Sequence, residues 1–172
     1  MEWIFLTLLR PIANGVIASL ASYSKRENKV PLWAFYSLSH IAPNTAFELL
    51  IIRDGSNGPE IFLTKRPPQD PEWPNMWHFP GTIIRINDSF ESVKLRLAQD
   101  ELFIDKLPAE TNLLTTKIYQ DPPRGNGIHL FEVIRVDATF ENKNGTFFPF
   151  ADLPDVMIGS QKEQLTEIRQ LL

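Results

Sequence analysis

Residues 73–104, with the sequence WPNMWHFPGTIIRINDSFESVKLRLAQDELFI, are the stretch from which the fold can be predicted. An aromatic strand is predicted to end at residues 77–79, where a Pro-Gly pair breaks it. A helix is predicted over residues 89–102, since its first residue, a serine, can cap free backbone N–H groups. The helix ends with Asp100 and Glu101. A strand that leads onto a helix bearing carboxylates is a layout suited to holding a divalent metal over a bound phosphate.

The composition indicates one globular chain without a basic surface for nucleic acid. Of its 172 residues, 43% are hydrophobic and 22% are charged, which is ordinary for a protein with a sizeable core. The formal net charge of −4 gives no electrostatic reason to expect a nucleic-acid partner. The sequence contains no cysteine, which excludes disulfides, thiolate metal sites and cysteine nucleophiles.

An apolar stretch over residues 3–23 precedes the main body of the chain. Glu2 stands where a signal peptide has basic residues, and the Arg-Pro pair at 10–11 interrupts the apolar run. We therefore expect a packing or partner-binding helix, with a targeting or membrane-surface segment as the alternative. A transmembrane segment is not expected, because a spanning helix needs about 20 uninterrupted apolar residues. The expected location is cytoplasmic, and this helix is a candidate contact for a homodimer.

The remaining elements alternate irregularly between strands and helices. Residues 24–29 are polar and are interpreted as a link before a second short helix at 31–40. Strands 46–53 and 60–65 flank a Gly-rich turn and predict a hairpin. Further elements are predicted as strands over 113–120, 128–136 and 146–150, and as a closing helix over 160–172. The pattern favours an α+β fold with a mixed sheet between helices, preceded by a helical extension.

These segments resemble the Nudix family, the Mg-dependent hydrolases of nucleoside diphosphates linked to another group. The resemblance covers about residues 45–172, and we therefore divide the chain into a helical extension, 1–44, and a Nudix-like domain, 45–172. It is strongest over the family's characteristic box, residues 82–104. The resemblance implies an α/β/α sandwich with a mixed sheet.

The box matches the family in spacing and departs from it at three positions. Arg96, Ala98, Glu101 and Ile104 match, and Asp88 and Asp100 stand conservatively for glutamates. The departures are Thr82 and Phe103, which replace glycines, and Leu97, which replaces a glutamate. If the family's glycines need positive φ, the loop and the helix exit must differ here.

The resemblance implies a set of catalytic and metal-binding residues. Asp100, Glu101 and Arg96 are the candidate catalytic residues, and the two carboxylates are the candidate ligands of Mg²⁺, with Mn²⁺ as the alternative. Arg96 is expected either to pair with Asp100 or to hold the loop before the helix. Leu97 removes a carboxylate that ligates metal in the family. Candidates to supply a further carboxylate are Asp88, Glu132, Asp121, Glu91 and Glu141.

Candidate substrate-binding residues each have a structural alternative. Arg66 would meet phosphate or pair with an acid, and His78 would touch substrate or hold the loop. Trp77, like Trp73, Tyr119 and Phe131, would stack on a base or fill the core. Arg124 is a weaker phosphate candidate.

Three functions are compatible with these residues. The first is a Mg²⁺-dependent hydrolase that cleaves the pyrophosphate of a nucleoside diphosphate derivative, with activity weakened by Leu97. The second is an inactive module that binds a nucleotide or ADP-ribose-like ligand. The third is a scaffold that uses the apolar N-terminal helix.

Overall fold

The structure is a computed structural model that describes residues 2–56, 58–120 and 125–172, with side chains from residue 11 onward. Within these residues it has an α+β fold, as predicted, with a seven-stranded sheet and four helices. The elements, in chain order, are α1 (Glu2–Glu27), α2 (Leu32–Ser39), β1 (Asn44–Gly55), β2 (Gly58–Lys65), β3 (Trp77–His78), β4 (Gly81–Ile83), α3 (Phe90–Asp100), β5 (Asn112–Gln120), β6 (Asn126–Arg135), β7 (Gly145–Pro149) and α4 (Gly159–Ile168).

The sheet is mixed, with the strand order β3-β2-β1-β6-β5. The predicted hairpin over residues 46–65 is confirmed, because β1 and β2 pair antiparallel with Gly55 opposite Gly58. The central pair, β1 and β6, is parallel, whereas β5 pairs antiparallel with β6. The short strands β4 and β7 pair with β1 and β2 respectively. The parallel pair brings residues about 80 positions apart in sequence side by side.

Side chains alternate along β1 and build a core on each face of the sheet. Leu50 and Ile52 point to the face covered by α4, whose Leu165 and Ile168 are fully buried there. Leu49 and Ile51 point to the face covered by α3. A strand buried on both faces reads as a continuous apolar run, which is the AFELLIIR segment of the sequence. The core therefore places α3 and α4 on opposite faces of the sheet.

The N-terminal extension is more helical than the sequence predicted. The link expected over residues 24–29 is wrong for most of its length, because α1 continues to Glu27. Lys25 and Arg26 in the last turn favour this continuation, since cations stabilise the negative end of the helix dipole. In the part of the chain with described side chains, no helix is both long and apolar enough to cross a membrane. The division of the chain into an extension, residues 1–44, and a domain, residues 45–172, stays a prediction.

Candidate functional site

The helix α3 begins at a capping box formed by two serines. The Ser89 side chain accepts a hydrogen bond from the backbone N–H of Ser92, and the Ser92 hydroxyl accepts one from the N–H of Ser89. This confirms the predicted start of the helix, because the caps satisfy N–H groups that the first turn leaves free. The loop that precedes the cap is held by charged side chains.

Asp88 and Arg96 form a buried ion pair that holds this loop on the helix. Asp88 Oδ2 accepts hydrogen bonds from the Arg96 guanidinium and from the backbone N–H of Arg85, and Oδ1 accepts from Asn28. Arg96 also donates to the carbonyl of Ile83 at 3.1 Å. Although burial opposes ionisation, these hydrogen bonds hold the pKa of Asp88 below its usual range.

The contacts of this pair bear on the roles predicted for it. Arg96 contacts Asp88 rather than Asp100 and additionally donates to the Thr82 hydroxyl, so it holds the loop, as expected. Both oxygens of Asp88 already accept hydrogen bonds, which favours a structural role over metal binding. Thr82 stands where the family resemblance has a glycine. It lies in the strand β4, opposite Phe47, and a residue in an extended strand does not need to be glycine.

Glu101 lies where the helix, β2 and the Pro-Gly turn meet. One carboxylate oxygen accepts from the Thr64 hydroxyl at 2.8 Å, and the other accepts from the backbone N–H of Gly81 at 3.0 Å. His78 Nε2 lies 3.5 Å from the first of these oxygens. Burial, together with repulsion from Glu48, raises the pKa of Glu101 to about 7, against the effect of the two hydrogen bonds.

A second buried carboxylate, Glu48, pairs with a histidine across the parallel strands. Glu48 Oε1 lies 3.1 Å from His129 Nδ1, and both side chains are 7% exposed. The position of Glu48 also explains why residue 81 is a glycine, because a Cβ there would lie 2.2 Å from Glu48 Oε2. Glycine therefore lets the turn lie against this carboxylate without displacing the Glu48 side chain. The backbone of Gly81 separates Glu48 from Glu101 and contacts both.

Leu97 belongs to the core rather than to a carboxylate cluster. Its side chain is 1% exposed and packs with Phe47, Leu49 and Val93. Asp100, by contrast, is exposed at the end of the helix. In the described residues no three His, Cys, Asp or Glu side chains are placed to hold one metal ion. With two protein carboxylates, Asp100 and Glu101, a Mg²⁺ ion would take its other oxygen ligands from water and from the phosphates of a ligand.

Two adjoining cavities open around His78, Arg66 and Thr82, which line both of them. The first, of about 450 Å³, is here named the cationic cavity, and its charged lining residues are Lys65, Arg66, Arg85, Arg96, Asp100 and Glu101. The second, of about 230 Å³, is named the polar cavity, and its polar lining residues include Asn44, Glu48, Asn126, His129, Gln161 and Gln164. The cationic cavity therefore favours an anion, and the polar cavity favours a group with hydrogen-bonding edges.

Gln164 is the clearest unsatisfied group in the polar cavity. Its side chain is 1% exposed, and neither its amide nitrogen nor its amide oxygen has a hydrogen-bond partner among the described residues. Leaving a buried amide unpaired costs about 1–3 kcal/mol, so such groups in native structures usually meet a ligand or water. Gln164 was not among the candidates from the sequence, since nothing in the residues around it distinguishes it from a glutamine on the exposed face of a helix.

Glu48 and His129 were also missed, although one signal was present. Glu48 interrupts the apolar AFELLIIR run, and a carboxylate inside a buried strand needs a partner. Glu132 gives the same signal in β6. Its partners are Lys94, at 2.8 Å, and the hydroxyl of Thr111, so it is engaged on the α3 face of the sheet.

The other predicted residues have the following positions. Arg66 pairs with Asp70 while it lines both cavities. Trp77 packs edge-on against Phe148 in the core, which favours its structural alternative. Asp121 and Arg124 lie outside the described residues. The structure thus brings Arg66, His78, Asp100 and Glu101 together at one cavity.

Comparison with solved structures relates this arrangement to known folds. The Nudix domain of NrtR from Shewanella oneidensis, solved with ADP-ribose, is 16% identical with a TM-score of 0.58 over 86% of this chain and 96% of that chain. A MutT Nudix hydrolase from Burkholderia pseudomallei is 24% identical with a TM-score of 0.55 over 74% and 98%. The C-terminal domain of mouse MUTYH, solved with human PCNA, is 12% identical with a TM-score of 0.57 over 75% and 88%.

The sequence comparisons are negative. No protein-family model matches the chain, and no curated protein matches it in sequence. The identities to the solved structures are all below 25%, so these matches concern the fold alone. This chain has the mixed-sheet fold of the Nudix structures.

Proposed function

We propose that this chain binds a nucleoside diphosphate derivative of the ADP-ribose kind across the two cavities, with hydrolysis slow or lost. The single observation that carries this is the junction of a cationic cavity with a polar cavity at His78, Arg66 and Thr82. A ligand with a pyrophosphate and a polar ring system has the same two chemical parts. The NrtR domain, whose fold is similar, was solved with ADP-ribose.

The diphosphate would bind in the cationic cavity. Four cationic side chains line it against two carboxylates, and Glu101, with a pKa of about 7, is only partly ionised at neutral pH. Burial and, after it, the neighbouring charge of Arg96 lower the pKa of Arg85, although Asp88 and Asp100 act in the opposite direction. A phosphate oxygen between them would relieve this repulsion, and guanidinium groups bind phosphate in a bidentate manner.

The base or sugar would bind in the polar cavity. The Gln164 amide offers one donor and one acceptor side by side, and a ligand edge with an adjacent acceptor and donor would satisfy both. Glu48 and His129 offer a second hydrogen-bonding pair on the strand side of the same cavity. A ligand that satisfies the Gln164 amide would gain specificity, since a ligand lacking the polar edge leaves that amide unpaired.

Leu97 is the reason for expecting slow or absent hydrolysis. A leucine can neither ligate a metal nor activate a water, and Leu97 packs into the core at the floor of the cationic cavity. Asp100 is exposed, and the pKa of Glu101 is raised to about 7, so the pair is a poor site for a hard cation without a bound phosphate.

Calorimetry and thermal shift with ADP-ribose and ADP, with and without Mg²⁺, test this function. We expect binding by the wild type, with affinity reduced about tenfold or more in Gln164→Leu and in Arg85→Ala. Gln170→Leu and Arg169→Ala are the matched controls, because both side chains are exposed on the C-terminal turn. Unchanged affinity in both site variants, or no binding of either ligand, would refute the proposal.

Mg²⁺-dependent hydrolysis is the second candidate, and one observation favours it. Glu101 has a pKa of about 7 and lines the cationic cavity together with Asp100. A carboxylate whose pKa lies near the working pH suits general acid–base chemistry. Turnover of a panel of pyrophosphates with Mg²⁺ or Mn²⁺, abolished in Glu101→Gln, would support this candidate over simple binding. Binding without turnover in wild type would exclude it.

A further inference from the structure

The N-terminal helices carry a large apolar surface that the rest of the chain leaves exposed. Every residue from 11 to 19 is exposed, including Ile12 at 65%, Val16 at 52% and Ile17 at 65%. Four apolar side chains of α2 and its exit are also exposed, namely Leu32, Trp33, Leu38 and Ile41. These seven residues are here named the N-terminal apolar surface. Contiguous apolar surface of this kind marks an interaction site.

The two helices form one surface rather than two isolated patches. An open apolar trough of about 530 Å³ lies between them, lined by Ile12, Val16 and Leu20 from α1 and by Pro31 and Trp33 from the start of α2. Trp33, which lines this trough, is 63% exposed. Exposed tryptophan next to apolar side chains is typical of positions at a membrane–water interface.

The distribution of apolar residues around α1 indicates what covers it. At about 100° per residue, Ile12, Val16, Leu20 and Ile17 fall within an arc of about 140°, and Asn14 and Ser19 lie outside it. A one-sided apolar face of this kind is what allows a helix to lie in the plane of a membrane interface, with its apolar side among the headgroups.

Charge separates the extension from the rest of the chain. Residues 1–44 contain four basic and two acidic residues, whereas residues 45–172 contain thirteen basic and nineteen acidic residues. Lys25 and Lys29, close to the apolar trough, are exposed. An acidic body with a basic, apolar extension is oriented electrostatically toward an anionic surface, with the extension facing it.

The attachment of the extension to the body leaves this surface accessible. Polar contacts tie the end of α1 to the loop before α3, since Asn87 donates to the carbonyl of Lys25 and Asn28 donates to Asp88. These contacts, at residues 25 and 28, lie C-terminal to the exposed apolar side chains of α1. The helix α1 is therefore held by its end, and its residues 11–19 stay exposed.

We propose that the N-terminal apolar surface docks on an anionic lipid bilayer. The apolar side chains of α1 and α2 enter the headgroup region, and Lys25 and Lys29 face lipid phosphates. The chain then lies on the membrane surface and does not span it. This attachment is independent of the ligand proposed for the two cavities.

Co-sedimentation of the full chain with phosphatidylcholine vesicles, with or without 30% phosphatidylserine, tests this docking. We expect partition onto the anionic vesicles that weakens with added salt, and an at least tenfold loss in the variant Ile12→Ser/Val16→Ser/Ile17→Ser. The matched control is Ile86→Ser/Leu113→Ser/Ile118→Ser, which removes equally exposed apolar side chains from the body and should leave partition unchanged. Lys25→Gln/Lys29→Gln should weaken partition onto anionic vesicles about fivefold or more.

Two results would overturn the docking proposal. One is equal partition of the wild type and the triple variant of α1, or no partition onto either vesicle. The other is a stable dimer, seen by sedimentation equilibrium, that the triple variant dissociates while vesicle binding stays absent. That result would assign the surface to a second copy of the chain, the homodimer expected from the sequence.

Discussion

The two ends of α3 use their charged side chains in different ways. At the start, Asp88 and Arg96 form a buried ion pair with further hydrogen bonds to the preceding loop. At the end, Asp100 is exposed, the pKa of Glu101 is raised to about 7, and Leu97 is part of the core. The first set holds the preceding loop on the helix, and the second set lines the cationic cavity.

This difference teaches that holding the loop and lining the cavity are separate tasks of side chains along one helix. Losing Asp88 would leave the charge of the Arg96 guanidinium without its partner, which is costly for folding. Leu97 instead adds an apolar side chain to the core, which is favourable for folding. The loop, the cap and the helix therefore need no carboxylate at position 97.

The largest expected effect is that of Leu97→Glu. We expect the free energy of unfolding to fall by about 4 kcal/mol at pH 8, because an ionised carboxylate would replace a buried apolar side chain. Urea denaturation measures this change, and Leu97→Met, which conserves volume, should cost less than about 1.5 kcal/mol. Wild-type stability together with new Mg²⁺-dependent hydrolysis would show instead that this position faces a working metal site.

At the start of the helix, we expect Asp88→Ala to lower the free energy of unfolding by about 3 kcal/mol, because Arg96 would lose its buried partner. The pKa of Asp88 is lower in the folded than in the unfolded chain, so its contribution is present above about pH 4 and is lost as the pH falls through the folded value. Urea denaturation from pH 2 to 7 measures both effects. Glu91→Ala, at an exposed carboxylate of the same helix, is the control, and an equal cost there would contradict the comparison.

Glu101 should give the opposite pH dependence. Its pKa of about 7 in the folded chain exceeds the unfolded value, so between about pH 4.5 and 7 the folded state binds more protons. Stability should therefore fall by about 2 kcal/mol as the pH rises through this window, and Glu101→Gln should remove that fall. Denaturation at pH 5 and pH 8 measures the slope, with exposed Glu163→Gln as the control. An unchanged slope in Glu101→Gln would show that this carboxylate titrates normally.

The smallest expected effect concerns the helix exit. Phe103 adopts φ +54°, a left-handed conformation that is unfavourable for phenylalanine, while the residue is 71% exposed. We expect Phe103→Gly to raise the free energy of unfolding by about 0.5–1 kcal/mol, because relief of strain exceeds the added entropy of the unfolded chain. The control, Leu95→Gly inside the helix, should lower it by about 1 kcal/mol. A loss of stability in both variants would contradict this reasoning.

The sequence alone predicted much of the fold, because the signals involved are local. The serine cap of α3 and the hairpin of β1 and β2 each depend on residues close in sequence. The extent of α1 was mispredicted, since a polar segment such as 24–29 fits either a helix end or a link.

The candidate site was predicted only in part. Arg66, His78, Asp100 and Glu101 were candidates that the family resemblance implied, and they line one cavity. Glu48 and His129, separated by 81 positions, meet only through the parallel pairing of β1 and β6. The unpaired amide of Gln164 depends on how α4 packs over the sheet. No local pattern encodes either arrangement.

The sequence by itself determined the elements and the spacing of the box, because hydrophobic periodicity and capping act within a few residues. Only the tertiary structure decided which charges are used for folding and which face a cavity. Burial, and the partners brought in from distant strands, set the protonation and the contacts of Asp88, Glu48 and Glu101. The same carboxylate chemistry therefore becomes a structural ion pair at one end of α3 and a group that titrates near neutral pH at the other.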